Sequence, residues 1–280
     1  MKSSPVIWLA ALGLLSTVGC NPADDPTLAP SFVYPTKSSM QGGSGTNGNY
    51  SIEFHDTKGA LGDIMSRPLM KPDTHMITSE SEYILDTEAG IRNFRYAAGC
   101  ALTFTDPDFT DPDFVTGGWP EDTYYGEGFL STTTGWGSNA LDTPQQEDLF
   151  TCMIARLNPS GAEVPIWLSG AHVQDDPNDD ETPFVWLEAL WTTEIGAAAT
   201  TFHVWPLGDL LDKCGATNII EGLNSRVCGT PTGDCVTVHM NSLQTDCTLS
   251  GGNYTCLNRP AIQTKLKLED VSTMYDRDCP

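Results

Sequence analysis

Basic residues are scarce in this chain of 280 residues: 14 Lys and Arg stand against 37 Asp and Glu, a formal net charge of −23 at pH 7. An acidic surface repels nucleic acid and anionic lipid headgroups. We therefore expect no nucleic-acid partner, and a surface that favours cations or cationic partners. Because 39% of the residues are apolar, the chain can form a sizeable core, which argues against disorder of the whole protein.

Long hydrophobic runs are also missing. The longest, from Val6 through Leu15, is about ten residues, roughly half of what a membrane-spanning helix needs. Lys2 precedes it and small or polar residues follow it, the layout of a secretory signal. The pair Gly19-Cys20 resembles the lipobox of bacterial lipoproteins, although Thr17 stands where Leu is usual. We expect residues 1–19 to be a signal peptide.

The lipobox predicts a lipid, of the palmitate type, on Cys20, with the chain outside the cytoplasm at an outer membrane or cell surface. The alternative is an ordinary secreted protein in which Cys20 is a disulfide partner. Segment 20–49 contains four prolines and then a stretch rich in Gly, Ser and Asn. This composition predicts a flexible tether between the lipid anchor and a folded domain. A loop packed on the domain is the alternative.

Closely spaced cysteine pairs of the C-x-x-C kind, typical of zinc sites, are absent. Eight cysteines remain after Cys20, and an even number in an oxidising compartment predicts four disulfides. The first two, Cys100 and Cys152, lie ahead of the cysteine-rich C-terminal tail at 214–280. We therefore expect these two to pair with each other and the other six to pair among themselves. The eight are Cys100, Cys152, Cys214, Cys228, Cys235, Cys247, Cys256 and Cys279.

One helix is clearly signalled, at 144–157. Thr143 and Gln146 have the spacing of a capping box, and Pro144 suits the first helical position. Alternating apolar residues predict strands at 164–168 and 200–205. Segment 184–191 is apolar almost throughout, and its pattern fits a strand or a helix.

Other segments are less distinct. Short strands are candidates at Tyr50–Phe54 and Tyr83–Leu85, and 93–104 fits a helix ending in a short strand. The tail has low periodicity, which predicts a region held by disulfides. We expect an α+β fold, β-rich with much irregular structure: a main domain at 50–213 and a disulfide-stapled C-terminal region at 214–280.

Several short motifs resemble a known group of proteins. They are Cys100-Ala101-Leu102, the aromatic and glycine-rich stretch 124–136, the stretch CMIARLN at 152–158, and VPIWLSG at 164–170. With them, residues 93–260 look like a group of exported, cysteine-rich lipoproteins of myxobacteria and relatives. The resemblance implies similar export and disulfides. No activity is known for that group, so it implies none here.

Recognisable catalytic motifs are lacking. The sequence contains no G-x-S-x-G, S-x-x-K or H-E-x-x-H. Its five histidines are far apart in sequence, and we expect each to have a structural or surface role. They are His55, His75, His172, His203 and His239.

Acidic residues offer one candidate cofactor, calcium. Residues 105–181 contain sixteen Asp and Glu but, among Lys and Arg, only Arg156. Two loops there could supply carboxylate and amide oxygens to a hard cation. The second begins like an EF-hand but has Glu181 in the glycine position, so we reject that motif. A solvated acidic face is the alternative. The candidate ligands are Asp106, Asp108, Asp111, Asp113, Asp176, Asn178 and Asp180.

Six of the seven tryptophans lie between Trp119 and Trp205. They could form a ligand-facing aromatic surface, or they could be core residues. From these features we favour a membrane-anchored extracytoplasmic lipoprotein that serves as a non-enzymatic binding or envelope module, without an organic cofactor. The alternative is an extracytoplasmic hydrolase whose site matches no known motif.

Overall fold

A six-stranded sheet organises the chain in the computed structural model. The residues described lie at 44–47, 49–71, 75–102, 114–116, 123–133, 135–159, 161–174, 180–210, 216–229 and 235–275. Cys20, Cys214, Cys279 and Trp119 lie outside them, as do Asp106, Asp108, Asp111, Asp113, Asp176 and Asn178. All described residues belong to one compact unit.

The strands of this sheet are β1 (Ser44–Asn47), β6 (Val164–Ser169), β7 (Trp186–Ile195), β8 (Thr200–Pro206), β9 (Thr237–Val238) and β13 (Ile262–Leu266). Their order across the sheet is β1-β6-β13-β7-β8-β9, and every neighbouring pair is antiparallel except the parallel pair β8 and β9. β13 comes from the cysteine-rich tail yet lies between β6 and β7. The tail therefore completes the central sheet of the domain.

Helices accompany the sheet, and together they make the α+β fold that the sequence predicts. They are α1 (Ser51–Met65), α2 (Glu88–Ala101), α3 (Thr143–Ala155), α4 (Ala216–Cys228), α5 (Leu243–Asp246) and α6 (Val271–Tyr275). Three short sheets add β2 (Asn49–Tyr50) with β5 (Leu157–Asn158), β3 (Phe114–Thr116) with β4 (Thr123–Tyr125), and β10 (Cys247–Ser250), β11 (Asn253–Cys256) and β12 (Arg259–Pro260). No helix among the described residues is long and apolar enough to cross a membrane.

The two faces of the sheet have different cores. The larger contains residues of α1, α2, α3 and α4 together with Trp191, Phe202 and Val204 of the sheet. The smaller core contains Trp205 and the bridged cysteines of the β10–β11 hairpin. Because side chains alternate along a strand, His203 lies on the same face of β8 as Trp205, opposite Phe202 and Val204.

Two predicted strands are wrong. Only Tyr50 of the first is in a strand; Ser51 begins α1, whose buried Phe54, Leu61 and Ile64 recur at helical spacing. The second, Tyr83–Leu85, forms a single 3-10 turn, Glu82–Asp86. Both segments are short, and packing against the main core outweighs the weak β propensity of an isolated aromatic residue.

The predicted strands at 164–168 and 200–205 are confirmed as β6 and β8, and the ambiguous segment 184–191 falls largely in β7. The predicted helix at 144–157 is confirmed as α3, but its cap lies one residue earlier. Asp142 accepts from the Gln145 backbone N–H at 3.0 Å, and the Gln145 side chain accepts from the Asp142 N–H at 2.9 Å. Gln146 donates instead to the Leu141 carbonyl, at 2.8 Å.

Three disulfides lie within the described residues. Cys100 of α2 is bonded to Cys152 of α3, as predicted. The other two close short loops inside the tail, Cys228–Cys235 and Cys247–Cys256.

Candidate functional site

Two of the five histidines, His203 and His239, are in direct contact, although they are far apart in sequence. His203 lies on β8, and His239 follows β9 directly. The parallel pairing of these strands places His203 opposite Thr237, and the His239 N–H donates to the Val204 carbonyl at 2.8 Å. The pairing thus brings together two residues that are 36 positions apart in sequence.

The two rings meet through nitrogen atoms. Nδ1 of His203 and Nε2 of His239 are 3.0 Å apart, and the ring centroids are 5.2 Å apart. The centroid separation exceeds the nitrogen separation by nearly twice the radius of an imidazole ring, so the two nitrogens lie close to the line joining the ring centres and the contact is head-on. The ring of His239 also stacks on Trp205, with centroids 4.4 Å apart and planes 10° apart.

A carboxylate stands beside the outer nitrogen of each ring. Glu194 Oε2 lies 3.6 Å from Nε2 of His203, and Asp246 Oδ2 lies 3.4 Å from Nδ1 of His239. Nε2 of His203 is buried and has no hydrogen-bond partner among the described residues. We call Glu194, His203, His239 and Asp246 the histidine row.

Both carboxylates are anchored by other side chains. Asp246 Oδ2 accepts from Ser242 Oγ at 2.5 Å and from Trp205 Nε1 at 3.2 Å. Glu194 Oε1 is 3.1 Å from Nη2 of Arg259. These partners fix the two ends of the row while leaving it partly open, because the side chain of Glu194 is 43% exposed.

Burial sets the protonation of the row. It lowers the pKa of His203, and the neighbouring His239 lowers that pKa further while Glu194 opposes the shift. Burial also lowers the pKa of His239, against the opposing effect of Asp246. The hydrogen bond from Ser242, followed by that from Trp205, lowers the pKa of Asp246. Near neutral pH the rings are therefore neutral and the Asp246 carboxyl is charged.

A third histidine, His172, contacts a carboxylate elsewhere in the fold. His172 Nδ1 lies 2.7 Å from Oδ2 of Asp148, which also accepts from Thr132 Oγ1 at 2.8 Å. The side chain of Asp148 is 10% exposed, and that of His172 is 35% exposed. Burial raises the pKa of Asp148, although Thr132 and His172 lower it. A buried carboxylate on Nδ1 leaves Nε2 of a half-exposed imidazole to act as a base.

The aromatic-surface hypothesis is wrong for the tryptophans that the structure describes. Each is buried, with at most 7% of its surface exposed, so they serve as core residues. They are Trp136, Trp167, Trp186, Trp191 and Trp205.

Of the proposed calcium ligands, only Asp180 belongs to the described residues. It is exposed, and its Oδ1 accepts from the Thr182 N–H at 2.9 Å. The hydrogen bonds from Thr182 lower the pKa of Asp180. Across the described part of the chain, no group of three or more His, Cys, Asp or Glu side chains is arranged to hold a metal ion.

The histidine row left only a faint signal in the sequence. In β8, apolar Phe202 and Val204 alternate with His203 and Trp205, which predicts that His203 lies on the other face of the strand. Nothing in the sequence indicates its partner, because β9 is two residues long. No protein-family model, curated protein or solved structure matches the chain.

Proposed function

We propose that the protein is a lipid-anchored extracytoplasmic binding module, and that it takes up a cation between the rings of His203 and His239. The anchor rests on the sequence around Cys20. The disulfides of the described domain support an oxidising location, because such bonds persist outside the cytoplasm. The head-on contact of the two rings between two carboxylates is the observation that carries the binding proposal.

Counting protons gives the reason. A neutral imidazole has one N–H and one lone pair. The row needs a proton at three positions: facing Glu194, facing Asp246, and in the contact between the rings. Two neutral rings supply only two protons, so one lone pair always faces a carboxylate or the lone pair of the other ring. A cation between the rings removes this conflict, because both outer nitrogens can then carry a proton.

Charge favours the same conclusion. With Glu147, whose Oε2 lies 3.2 Å from Nε of Arg259, the surroundings contain three carboxylates and one guanidinium. Neutral rings therefore leave this network with two surplus negative charges. The chain as a whole carries −23. Both the local and the overall field attract cations.

Imidazole NMR of uniformly ¹⁵N-labelled protein tests the binding proposal. We expect the ring nitrogens of both His203 and His239 to shift when Mg²⁺, Ca²⁺ or Zn²⁺ is added at fixed pH; acidification is not used, because any imidazole shifts when it takes up a proton. His172 is the internal control for metal binding, since it also contacts a carboxylate. If no added cation shifts the two rings together, the row binds no cation between them.

Mass spectrometry of the mature N-terminus tests the anchor separately. We expect an acylated Cys20 at the first position. Unmodified protein in the medium, with an N-terminus elsewhere, would contradict the anchor without bearing on the histidine row.

Asp148 and His172 favour a second candidate function, that of an extracytoplasmic hydrolase. An imidazole oriented by a buried carboxylate can remove a proton from water as its oxygen attacks an ester carbonyl. Hydrolysis of p-nitrophenyl acetate by the wild-type protein and by His172→Gln tests this function. Equal rates in the two proteins would exclude His172 as the base in this reaction.

A further inference from the structure

We propose that the cation in the histidine row is a divalent transition metal such as Zn²⁺, bound by Nδ1 of His203 and Nε2 of His239. This inference rests on the proposed function, because it names the ligand of the same site. Imidazole nitrogen suits zinc, copper and nickel, whereas calcium and magnesium prefer oxygen ligands. A site whose inner atoms are two imidazole nitrogens therefore selects the transition metals.

The distance between the nitrogens is close to what such a metal requires. Two nitrogens on one tetrahedral zinc lie about 3.3 Å apart, given a Zn–N bond of about 2.05 Å. The observed separation is 3.0 Å. Metal uptake therefore needs a small widening and a turn of the rings that makes their lone pairs converge.

The outer nitrogens have the partners that metal-binding histidines usually have. Such a histidine donates its second N–H to a carboxylate, a carbonyl or water, which fixes the tautomer and strengthens the ligand. Glu194 and Asp246 lie at the outer nitrogens of the two rings, at 3.6 and 3.4 Å. Neither contact is a hydrogen bond at these distances, but a small approach lets each carboxylate accept the outer N–H of its ring, as the second layer of a metal site requires.

Two protein ligands leave coordination positions open. No third His, Cys, Asp or Glu among the described residues joins the two rings in a metal-binding group, so water or a bound ligand completes the coordination. Open positions of this kind are typical of sites at which a metal contacts other molecules, whereas structural zinc sites are closed by four protein ligands. We expect modest affinity and an exchangeable metal.

Isothermal titration calorimetry of the disulfide-intact protein with Zn²⁺ at fixed pH tests this inference. We expect one ion per chain and a rise in melting temperature with zinc concentration. His203→Asn and His239→Gln should abolish this binding. Glu194→Gln and Asp246→Asn keep both ligands and should weaken it by about tenfold or more. His172→Gln is the matched control and should bind as the wild type does.

Circular dichroism identifies any histidine variant that fails to fold. In that case the zinc affinity of Glu194→Gln and Asp246→Asn decides whether the inference holds. Zinc binding that is unchanged in the His239 and Asp246 variants would overturn the inference, as would the absence of binding in the wild type. If zinc does not bind but another divalent cation shifts both rings at fixed pH, the identity of the metal is wrong and the cation module stands. If neither occurs, both proposals fail.

Discussion

Arg226 and Glu188 form an ion pair in which both side chains are completely buried, with Nη1 of Arg226 at 2.5 Å from Oε1 of Glu188. The guanidinium also donates to the carbonyls of Leu157 and Ala155. Tyr275 donates to the same oxygen of Glu188, and burial raises the pKa of that tyrosine well above its ordinary value. The network attaches two helices of the cysteine-rich tail, α4 and α6, to the central strand β7.

Removing one member of this pair should be costly. We expect Arg226→Met to lower the free energy of unfolding by about 3–5 kcal/mol, because it leaves Glu188 buried without its partner. Arg92→Met is the control: Arg92 is 41% exposed and pairs with Glu88, so its loss should cost under about 1 kcal/mol. Adding Glu188→Gln to Arg226→Met should recover part of the loss. Urea unfolding measures all four proteins; equal costs for the two arginine variants would contradict the account.

The N-cap of α3 gives a prediction at single-residue precision. Asp142→Ala should destabilise the protein by about 1 kcal/mol, because it removes the carboxylate that accepts from the Gln145 backbone N–H. Thr143→Ala, next to it and also exposed, should cost less than about 0.5 kcal/mol. Denaturant unfolding of the two variants distinguishes the caps. A larger effect at Thr143 would favour the box predicted from the sequence.

Asp148 should make stability depend on pH. Burial raises the pKa of Asp148 in the folded chain, with Glu147 adding to the effect and Thr132 and His172 opposing it. The folded state therefore holds this proton more tightly than the unfolded state. The resulting stabilisation is fully present below the ordinary pKa of 3.8 and is lost as the pH rises through the folded value.

Unfolding at pH values from about 3.5 to about 6 checks this sign. Relative to the wild type, Asp148→Asn should gain stability as the pH rises. Asp180→Asn is the control of opposite sign, because hydrogen bonds from Thr182 lower the pKa of Asp180. A difference between the wild type and Asp148→Asn that stays constant or reverses its slope would show that burial does not dominate at this carboxyl.

The disulfides should differ in their contributions to stability. Cys100–Cys152 closes a loop of 52 residues and Cys247–Cys256 one of 9. Loop-closure entropy predicts about 4 and about 2.6 kcal/mol. Paired alanine variants should therefore differ by about 1.5 kcal/mol in urea unfolding. Equal costs would show that loop entropy does not govern these bonds.

Peptide mapping of the unreduced protein tests the fourth predicted disulfide. Cys214 and Cys279 lie outside the described residues, and we expect them to be bonded to each other because the other six cysteines of the domain are paired. A free thiol at either position would contradict the even count.

Local signals in the sequence account for much of the fold. Proline and a capping pattern mark α3, and alternating apolar residues mark β6 and β8. The pairing of Cys100 with Cys152 follows from their position ahead of the tail. The N-cap of α3 lies one residue before its predicted position because the sequence Asp-Thr-Pro-Gln-Gln at 142–146 contains two overlapping capping-box patterns. The structure forms the one that begins at Asp142.

Features that depend on distant contacts were beyond sequence reasoning. β13 is a short alternating segment inside a region of low periodicity, and only its neighbours β6 and β7 make it a central strand. α4 differs, since its buried Ile219, Leu223 and Val227 are spaced as one helical face, a local signal that the low periodicity of the surrounding tail obscures. The contact between His203 and His239 likewise depends on strand pairing, which no local period encodes.

Crystals grown with zinc and measured at the zinc absorption edge test the central proposal, a transition metal bound by His203 and His239, most directly. The account predicts an anomalous peak within bonding distance, about 2.0–2.1 Å, of Nδ1 of His203 and Nε2 of His239, with both outer nitrogens facing Glu194 and Asp246. An intact nitrogen–nitrogen contact of 3.0 Å without a peak, or a peak only at other residues, would contradict it.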